Sequence, residues 1–369
     1  MKRAVIGGLA ALFLVAIFGC TSQIAGPVGP AAGSQAEFKA TDSKAVDQSA
    51  IEQSALEQGE DKPYLRVAAM GDIMMGTENL LPPDGAAGFF KDVIPKIKGY
   101  DVIFGNLEGP LTDRGAPTKD TSTGRSYCFR TPPSYGQRLK DAGFNIVSLA
   151  NNHSFDYGPA GRAQTEEVLA SLDIAHTGAV GQITSFKTPS GIEVAFIGLS
   201  PNRGSQSIND IEGAAALVKE AIKQKPDRLV FVSFHGGAEG AAKMVVPHGP
   251  ELFMGENRGD LIRLSHALID AGAAAVIGHG PHVPRAVEVY RGHLIAYSLG
   301  NFATASGINV SGPSGLAPLL LFDLNREGQL INYEIESFRQ AFNRGPQLDP
   351  TGEAKRVIKK LSDQLAGEL

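Results

Sequence analysis

Short apolar runs alternate with longer helical patterns along most of this sequence, and each chemically suggestive motif stands just after one of the runs. Residues 65–70, 102–104, 146–149, 194–199, 229–234 and 274–277 are short, apolar and bounded by turn-forming residues, which predicts buried strands. Between them, 89–97, 134–142, 161–172, 211–222 and 261–271 carry helical patterns. The alternation predicts an α/β fold, a sheet covered by helices. After residue 284 the pattern changes. Segments 285–290 and 293–298, then 318–324 and 330–335, are joined by glycine-containing turns and read as antiparallel hairpins closing the sheet, followed by a last helix over 352–365.

The polar motifs share that one position. The first run leads into Gly71-Asp72-Ile73-Met74, the second into Gly105-Asn106-Leu107-Glu108-Gly109-Pro110, and the third into Asn151-Asn152-His153-Ser154-Phe155-Asp156-Tyr157-Gly158. The fifth leads into His235-Gly236-Gly237-Ala238-Glu239, and the sixth into Gly278-His279-Gly280-Pro281-His282. Ligands of open α/β sheets bind at the carboxyl ends of the strands. Loops of this kind converging on one edge bring carboxylates, asparagine and histidines together, an oxygen-and-nitrogen donor set suited to Mn, Zn, Fe or Mg. His176, His248, His266 and His293 lack that setting and read as structural or surface residues.

The N-terminus has a different character. Lys2 and Arg3 precede an apolar stretch over residues 4–19 that is too short and too rich in Gly and Ala for a membrane span but fits an export signal. Ile17-Phe18-Gly19-Cys20 resembles a bacterial lipobox, although Phe18 departs from its usual small residue; this makes residues 1–19 a signal peptide and Cys20 the site of lipid attachment. Residues 20–62, rich in Ala, Gly, Ser and Gln, read as a flexible tether. The main domain is then 63–345, with a C-terminal helix in 346–369. Cys128 has no partner for a disulfide once Cys20 is lipidated. The net charge of −5 and the lack of a basic stripe argue against a nucleic-acid partner.

The wording of several motifs is more specific than their position. Gly71-Asp72-Ile73-Met74, Asn106-Leu107-Glu108-Gly109-Pro110-Leu111, Ser148-Leu149-Ala150-Asn151-Asn152-His153, Phe155-Asp156-Tyr157-Gly158 and Tyr297-Ser298-Leu299-Gly300-Asn301-Phe302 resemble the CapA family of poly-gamma-glutamate capsule biosynthesis proteins, a divergent branch of the calcineurin-like metallophosphoesterases. The resemblance covers about residues 65–340. It implies a layered α/β sandwich with mixed sheets in a single main domain. It also implies metal-ligand roles for Asp72, Asn106, Asn152, His235 and His282, with Glu108 and His279 as replacements for ligands the chain lacks. His153, Asp156 and Glu239 become the candidates for proton transfer.

The chain departs from the wider superfamily at positions that matter for metal binding. Met74 stands where a histidine ligand is usual, Asn106 where a carboxylate bridges two metals, Gly280 where another ligand belongs, and Ala274 where an acidic residue is usual. Gly236 stands where relatives often have tryptophan. Two divalent ions ~3.5–4 Å apart repel by roughly 15–20 kcal/mol at an effective dielectric of about 20. Neutral Asn106 does nothing to offset that, so one metal or none is expected.

The function implied is that of an envelope-anchored lipoprotein in synthesis or export of an anionic polymer. Its partners would be the polymer itself, the membrane through the lipid, and synthase or exporter subunits. Arg130, Arg203 and Asn301 are the candidate substrate contacts, with Arg114, Lys119 and Arg125 also in or near the loops. Two other readings stand beside it: a metal-dependent hydrolase of a phosphodiester or polymer amide, and a non-catalytic binding module of a membrane synthase complex.

Overall fold

The apolar runs form strands buried on both faces because two sheets lie against each other and helices cover their outer sides. The computed structural model describes residues 62–77, 80–122, 126–305 and 307–369. The expected signal peptide, Cys20, the tether up to residue 61, and Arg125 lie outside the described residues. Among those described, no helix is long and apolar enough to cross a membrane.

The strands are β1 Leu65–Met74, β2 Val102–Leu107, β3 Ile146–Ser148, β4 Ala175–Thr177, β5 Thr184–Lys187, β6 Glu193–Ser200, β7 Gln206–Ser207, β8 Leu229–His235, β9 Leu252–Phe253, β10 Glu256–Asn257, β11 Ala275–His279, β12 Val287–Tyr290, β13 His293–Ala296, β14 Asn301–Thr304, β15 Leu316–Leu324, β16 Leu330–Ala341 and β17 Gly345–Leu348. The helices are α1 Ile94–Ile97, α2 Gly136–Ala142, α3 Gly158–Ser171, α4 Ile211–Gln224, α5 Leu261–Asp270 and α6 Glu353–Glu368. One sheet runs β17-β16-β15-β1-β2-β3-β4, with β14 also paired to β1. The other runs β12-β13-β11-β8-β6-β5, with β7 also paired to β6. Both sheets are mixed: in the first, parallel strands β1 to β4 form one half and antiparallel β15 to β17 the other, and in the second a parallel centre is flanked by antiparallel β12 and β5.

Side-chain alternation builds the layers. Val67 and Ala69 of β1, Val194 and Phe196 of β6, and Phe231 of β8 point between the sheets into one shared core. Ala68 and Met70 point the other way, into a core with Phe89, Val93, Leu139 and Leu169. Ala195, Ile197, Val230 and Val232 do the same on the second sheet, against α4 and α5. Capping aspartates start these two helices: Asp210 accepts from Gly213 N and Asp260 from Arg263 N.

Three expectations change in detail. The helix over 89–97 is mostly successive tight turns, and only Ile94–Ile97 is α-helical. Up to Val93 the backbone closes i→i+3 bonds, from Phe89 N to Ala86 O, Lys91 N to Gly88 O and Val93 N to Phe90 O, in place of the α-helical i→i+4 ladder. Phe89, Phe90 and Val93 are buried all the same, so the apolar spacing is met by turns. The two hairpins do not close one sheet. β12–β13 extends the second sheet, because β13 runs parallel to β11, while β15–β16 extends the first. The last helix begins at Glu353, after β17, and packs on β15 and β16 of one sheet and β12 of the other.

Phe196 links the layers, its ring stacked on Phe231 at 4.9 Å and on Phe104 of the opposite sheet at 5.3 Å. Phe196→Ala is expected to cost about 3–5 kcal/mol. Urea denaturation checks this as a lower midpoint with unchanged slope.

Candidate metal centre

Asp72 reaches the site because β1 changes partners just before it. Residues Leu65 to Ala69 pair antiparallel with β15, whereas Asp72 to Met74 pair parallel with β14. At the crossing, a side chain on Gly71 would put its Cβ 2.0 Å from the Gly300 carbonyl oxygen, so only glycine fits. His279 Nε2 lies 3.1 Å from the Met70 carbonyl oxygen, satisfying a backbone group left at the switch. His279 is therefore a buried brace between the sheets, and the structure does not place it with the other candidate ligands.

The strand ends of both sheets do converge. Asp72, Glu108 and His282 each offer a ligand atom within 4.8 Å of the others. His282 Nδ1 lies 3.0 Å from Asp72 Oδ2 and 3.0 Å from Asn301 Oδ1. Its Nε2 lies 3.6 Å from Glu108 Oε1 and 4.0 Å from Glu239 Oε2. His235, at the end of β8, brings Nε2 to 3.3 Å from the same Glu108 oxygen. His282 sits in the left-handed region at φ 57°, a strained conformation that surrounding contacts hold in place. Gly280 cannot carry a ligand, because its Cβ would lie 2.5 Å from the Gly236 carbonyl oxygen.

The electrostatics separate the two histidines. Burial opposes charge on His282, but Glu108, the hydrogen bond and charge of Asp72, and Glu239 outweigh it and raise its pKa to about 10. Burial and then the nearby Arg258 hold His235 well below the ordinary histidine value, so it is neutral. Glu108 Oε2 and His235 Nδ1 are buried with no protein hydrogen-bond partner. Unpartnered acceptors beside clustered carboxylates and imidazoles are what a hard or borderline divalent cation binds, so the residues present fit one.

Asn106 does not join that donor set. The His153 backbone N–H can only donate, and it donates to Asn151 Oδ1 at 3.0 Å. Asn151 Nδ2 must then face Leu107 O and Asn106 Oδ1, both at 3.0 Å. Asn106 is left pointing Nδ2 at Asp72 Oδ1, 2.8 Å away. An amide nitrogen in that role has no lone pair for a metal, so in this arrangement Asn106 serves Asp72 as a hydrogen-bond donor. Asn152 Oδ1 is, like Glu108 Oε2, buried with no protein hydrogen-bond partner, and the bond that Asn152 does accept is at its backbone, from Lys119 Nζ at 2.9 Å.

His153 and Asp156 form a dyad, with Nδ1 and Oδ2 2.7 Å apart. Glu239 is held by Arg258 Nη2 at 2.6 Å, which leaves its second oxygen toward His282. Asn301 is spent on structure, donating to His282 O, Asn309 O and Ser314 O. Arg130 lies over the Tyr157 ring at 4.2 Å. Arg203 is exposed on a loop whose Gly204 packs against Phe155.

The family model described as "Bacterial capsule synthesis protein PGA_cap" matches residues 66–306. The chain belongs to this family of bacterial capsule synthesis proteins. It is 29% identical over 253 residues to the PGA biosynthesis protein CapA of Bacillus subtilis (strain 168), covering 66% of this chain and 64% of that protein. It is 29% identical over 274 residues to the capsule biosynthesis protein CapA of Bacillus anthracis, covering 70% and 64%. The chain thus spans slightly less than two thirds of the length of either relative. A probable polyglutamine synthesis accessory protein of Mycobacterium tuberculosis (strain ATCC 25618 / H37Rv) is 26% identical over 227 residues, covering 54% and 55%. Among solved structures, a 5'-nucleotidase precursor from Thermus thermophilus superposes at TM-score 0.44 and 13% identity, covering 82% of this chain and 59% of that one. Haemophilus influenzae NAD nucleotidase does so at 0.39 and 12%, covering 81% and 56%. Superpositions this slight carry no argument, and the layered architecture stands on the sheets themselves.

The sequence of this capsule-family chain held no sign of several residues that shape the site. Arg258 and the buried pair Arg285–Glu251, 2.7 Å apart, brace the segment carrying Glu239, and Glu251 also accepts from Ala238 N. Arg258 and Glu251 lie in stretches with no periodic pattern or motif, and Arg285 merely opens the segment 285–290 that reads as a strand. Arg285→Met should cost about 3–5 kcal/mol, because it leaves a buried carboxylate unpaired. Glu251→Leu added to it should recover much of that loss, which thermal or urea unfolding of the single and double variants would show.

Proposed function

We propose that this chain serves in synthesis or export of an anionic capsule polymer of the poly-gamma-glutamate type, through a site that holds one divalent cation on Asp72, Glu108 and His282. The observation that carries the reading is the convergence of those three ligand atoms within 4.8 Å, next to the unpartnered Glu108 Oε2. Membership of the capsule synthesis family, and the printed names of its Bacillus relatives, support the polymer. A cation there would polarise a bound carbonyl or phosphoryl oxygen, or acidify a bound water. The oxygen-and-nitrogen donors suit Mn, Zn, Fe or Mg. Lipid on Cys20 and the following tether would keep the domain at the cell envelope, within reach of synthase or exporter subunits.

A second reading, hydrolysis of an amide or phosphodiester in the polymer or its precursor, is favoured by the His153–Asp156 dyad. Asp156 orients the imidazole, and His153 would exchange a proton with the reacting group. Glu239, poised beside His282, would act as base or further ligand.

Elemental analysis of the purified chain is expected to find about one equivalent of a transition metal, lost in Asp72→Ala and Glu108→Gln. No metal after reconstitution with Mn, Zn or Fe would sink the metal reading. Asn106→Asp replaces the N–H facing Asp72 with a second carboxylate oxygen, and is expected to raise the content toward two equivalents. Cells lacking the chain are expected to lose surface anionic polymer, and the Asp72→Ala variant should fail to restore it. Undiminished polymer in the deletion would overturn the assigned role.

A further inference from the structure

Asp156 is fully buried; its Oδ2 is hydrogen-bonded, whereas its Oδ1 makes no hydrogen bond and is held by an ion pair alone. Oδ2 accepts from the Phe129 backbone N–H at 2.7 Å and faces His153 Nδ1 at 2.7 Å. Oδ1 pairs with Lys119 Nζ at 2.6 Å. The same ammonium donates to the Asn152 carbonyl and lies 3.4 Å from His153 Nδ1. The loop bearing Lys119 is fastened to this turn: Thr118 N donates to Asp156 O and Thr118 Oγ1 to Phe155 O. Gly115 packs so tightly on the Tyr157 carbonyl that no Cβ would fit. Phe129 stacks on the His153 ring with centroids 4.2 Å apart.

We propose that Lys119 is a positioning residue: through Asp156 it confines His153 to the tautomer with the proton on Nδ1, leaving Nε2 as the ring atom that meets a ligand. An ionised carboxylate only accepts hydrogen bonds, so the short contact to Oδ2 requires a proton on Nδ1. An ammonium only donates, so it cannot accept that proton; beside Oδ1 it acts as a counter-charge, which keeps the carboxylate ionised and Oδ2 turned to Nδ1. With Lys119 removed, Oδ1 is a buried carboxylate oxygen with no counter-charge, and the carboxylate turns about its soft χ2 torsion toward solvent or another donor. Oδ2 then no longer faces Nδ1, and nothing selects one tautomer. The inference rests on the proposed function only in giving His153 a ligand to meet; the tautomer can be read without one.

The test is nitrogen NMR of the full chain labelled with 15N-histidine, at a pH where the imidazole is neutral. His153 is assigned by the signal missing from His153→Gln. The native chain is expected to show one protonated nitrogen, Nδ1, and one bare nitrogen, Nε2. Lys119→Met is expected to pull the two signals toward a common averaged position, and Lys119→Arg, which keeps a cation beside Oδ1, to return them toward the native pattern. An unchanged pattern in Lys119→Met, or in Lys119→Ala should that variant not fold, overturns the proposal. So does an Nε2–H tautomer in the native chain. Metal content measured on the same samples keeps the two readings apart: its absence throughout defeats the single-cation site and leaves the tautomer result standing.

Discussion

Asp72 is a carboxylate at zero exposure, carried into the interior by a strand that changes partners just before it. Burying an ionised carboxylate is costly unless hydrogen bonds or opposite charge compensate it. Much of the surrounding structure supplies that compensation. Gly71 lets β1 approach Gly300, and Asp72 N donates to the Gly300 carbonyl. Asn106 covers one carboxylate oxygen, and His282 faces the other. Because β1 belongs to the first sheet and His282 follows β11 at the centre of the second, this one requirement also sets how the sheets' ends meet.

Charge around the centre is arranged in opposing pairs. Asp72, Glu108 and Glu239 surround His282, which is a cation without any metal present. A divalent ion bound through that imidazole must displace its proton, so binding and protonation compete for one position. Arg258 takes a separate part. It fixes one oxygen of Glu239 and adds to burial, the larger cause, in keeping the neighbouring His235 neutral, the form in which an imidazole can ligate. The departures that set this chain apart from two-metal enzymes are consistent with that arrangement. Asn106 is a hydrogen-bond donor to Asp72, and Gly280 is pressed against Gly236.

The amide relay from Asp72 through Asn106 and Asn151 to the His153 backbone ties the cluster to the dyad. Amides in this chain transmit position rather than protons, since each is fixed by a donor that cannot reverse. A shift of Asp72 would therefore be felt at the turn bearing His153 and Asp156, and the loop fastened to that turn by Thr118 and Lys119 would follow.

By itself the sequence determined the alternation of buried strands and helices, and the placing of Asp72, Glu108, His153, His235 and His282 at strand ends. The reason is local: a strand covered on both faces stays apolar until it leaves the sheet, and polar residues crowd where it does. It also showed, through residue identity alone, that Asn106 could not supply a bridging carboxylate. Only the tertiary structure decided which strand ends meet, because that depends on two sheets stacking and on β1 switching partners. It alone withdrew His279 to brace the sheets and spent Asn301 on backbone carbonyls. It also drew Lys119 and Arg258 inward from irregular segments, and Arg285 from the start of a segment that reads as a strand. Nothing local marks these three as inward, since a long cation is placed by the buried carboxylate it finds, which the folded chain supplies and the neighbouring residues in sequence do not.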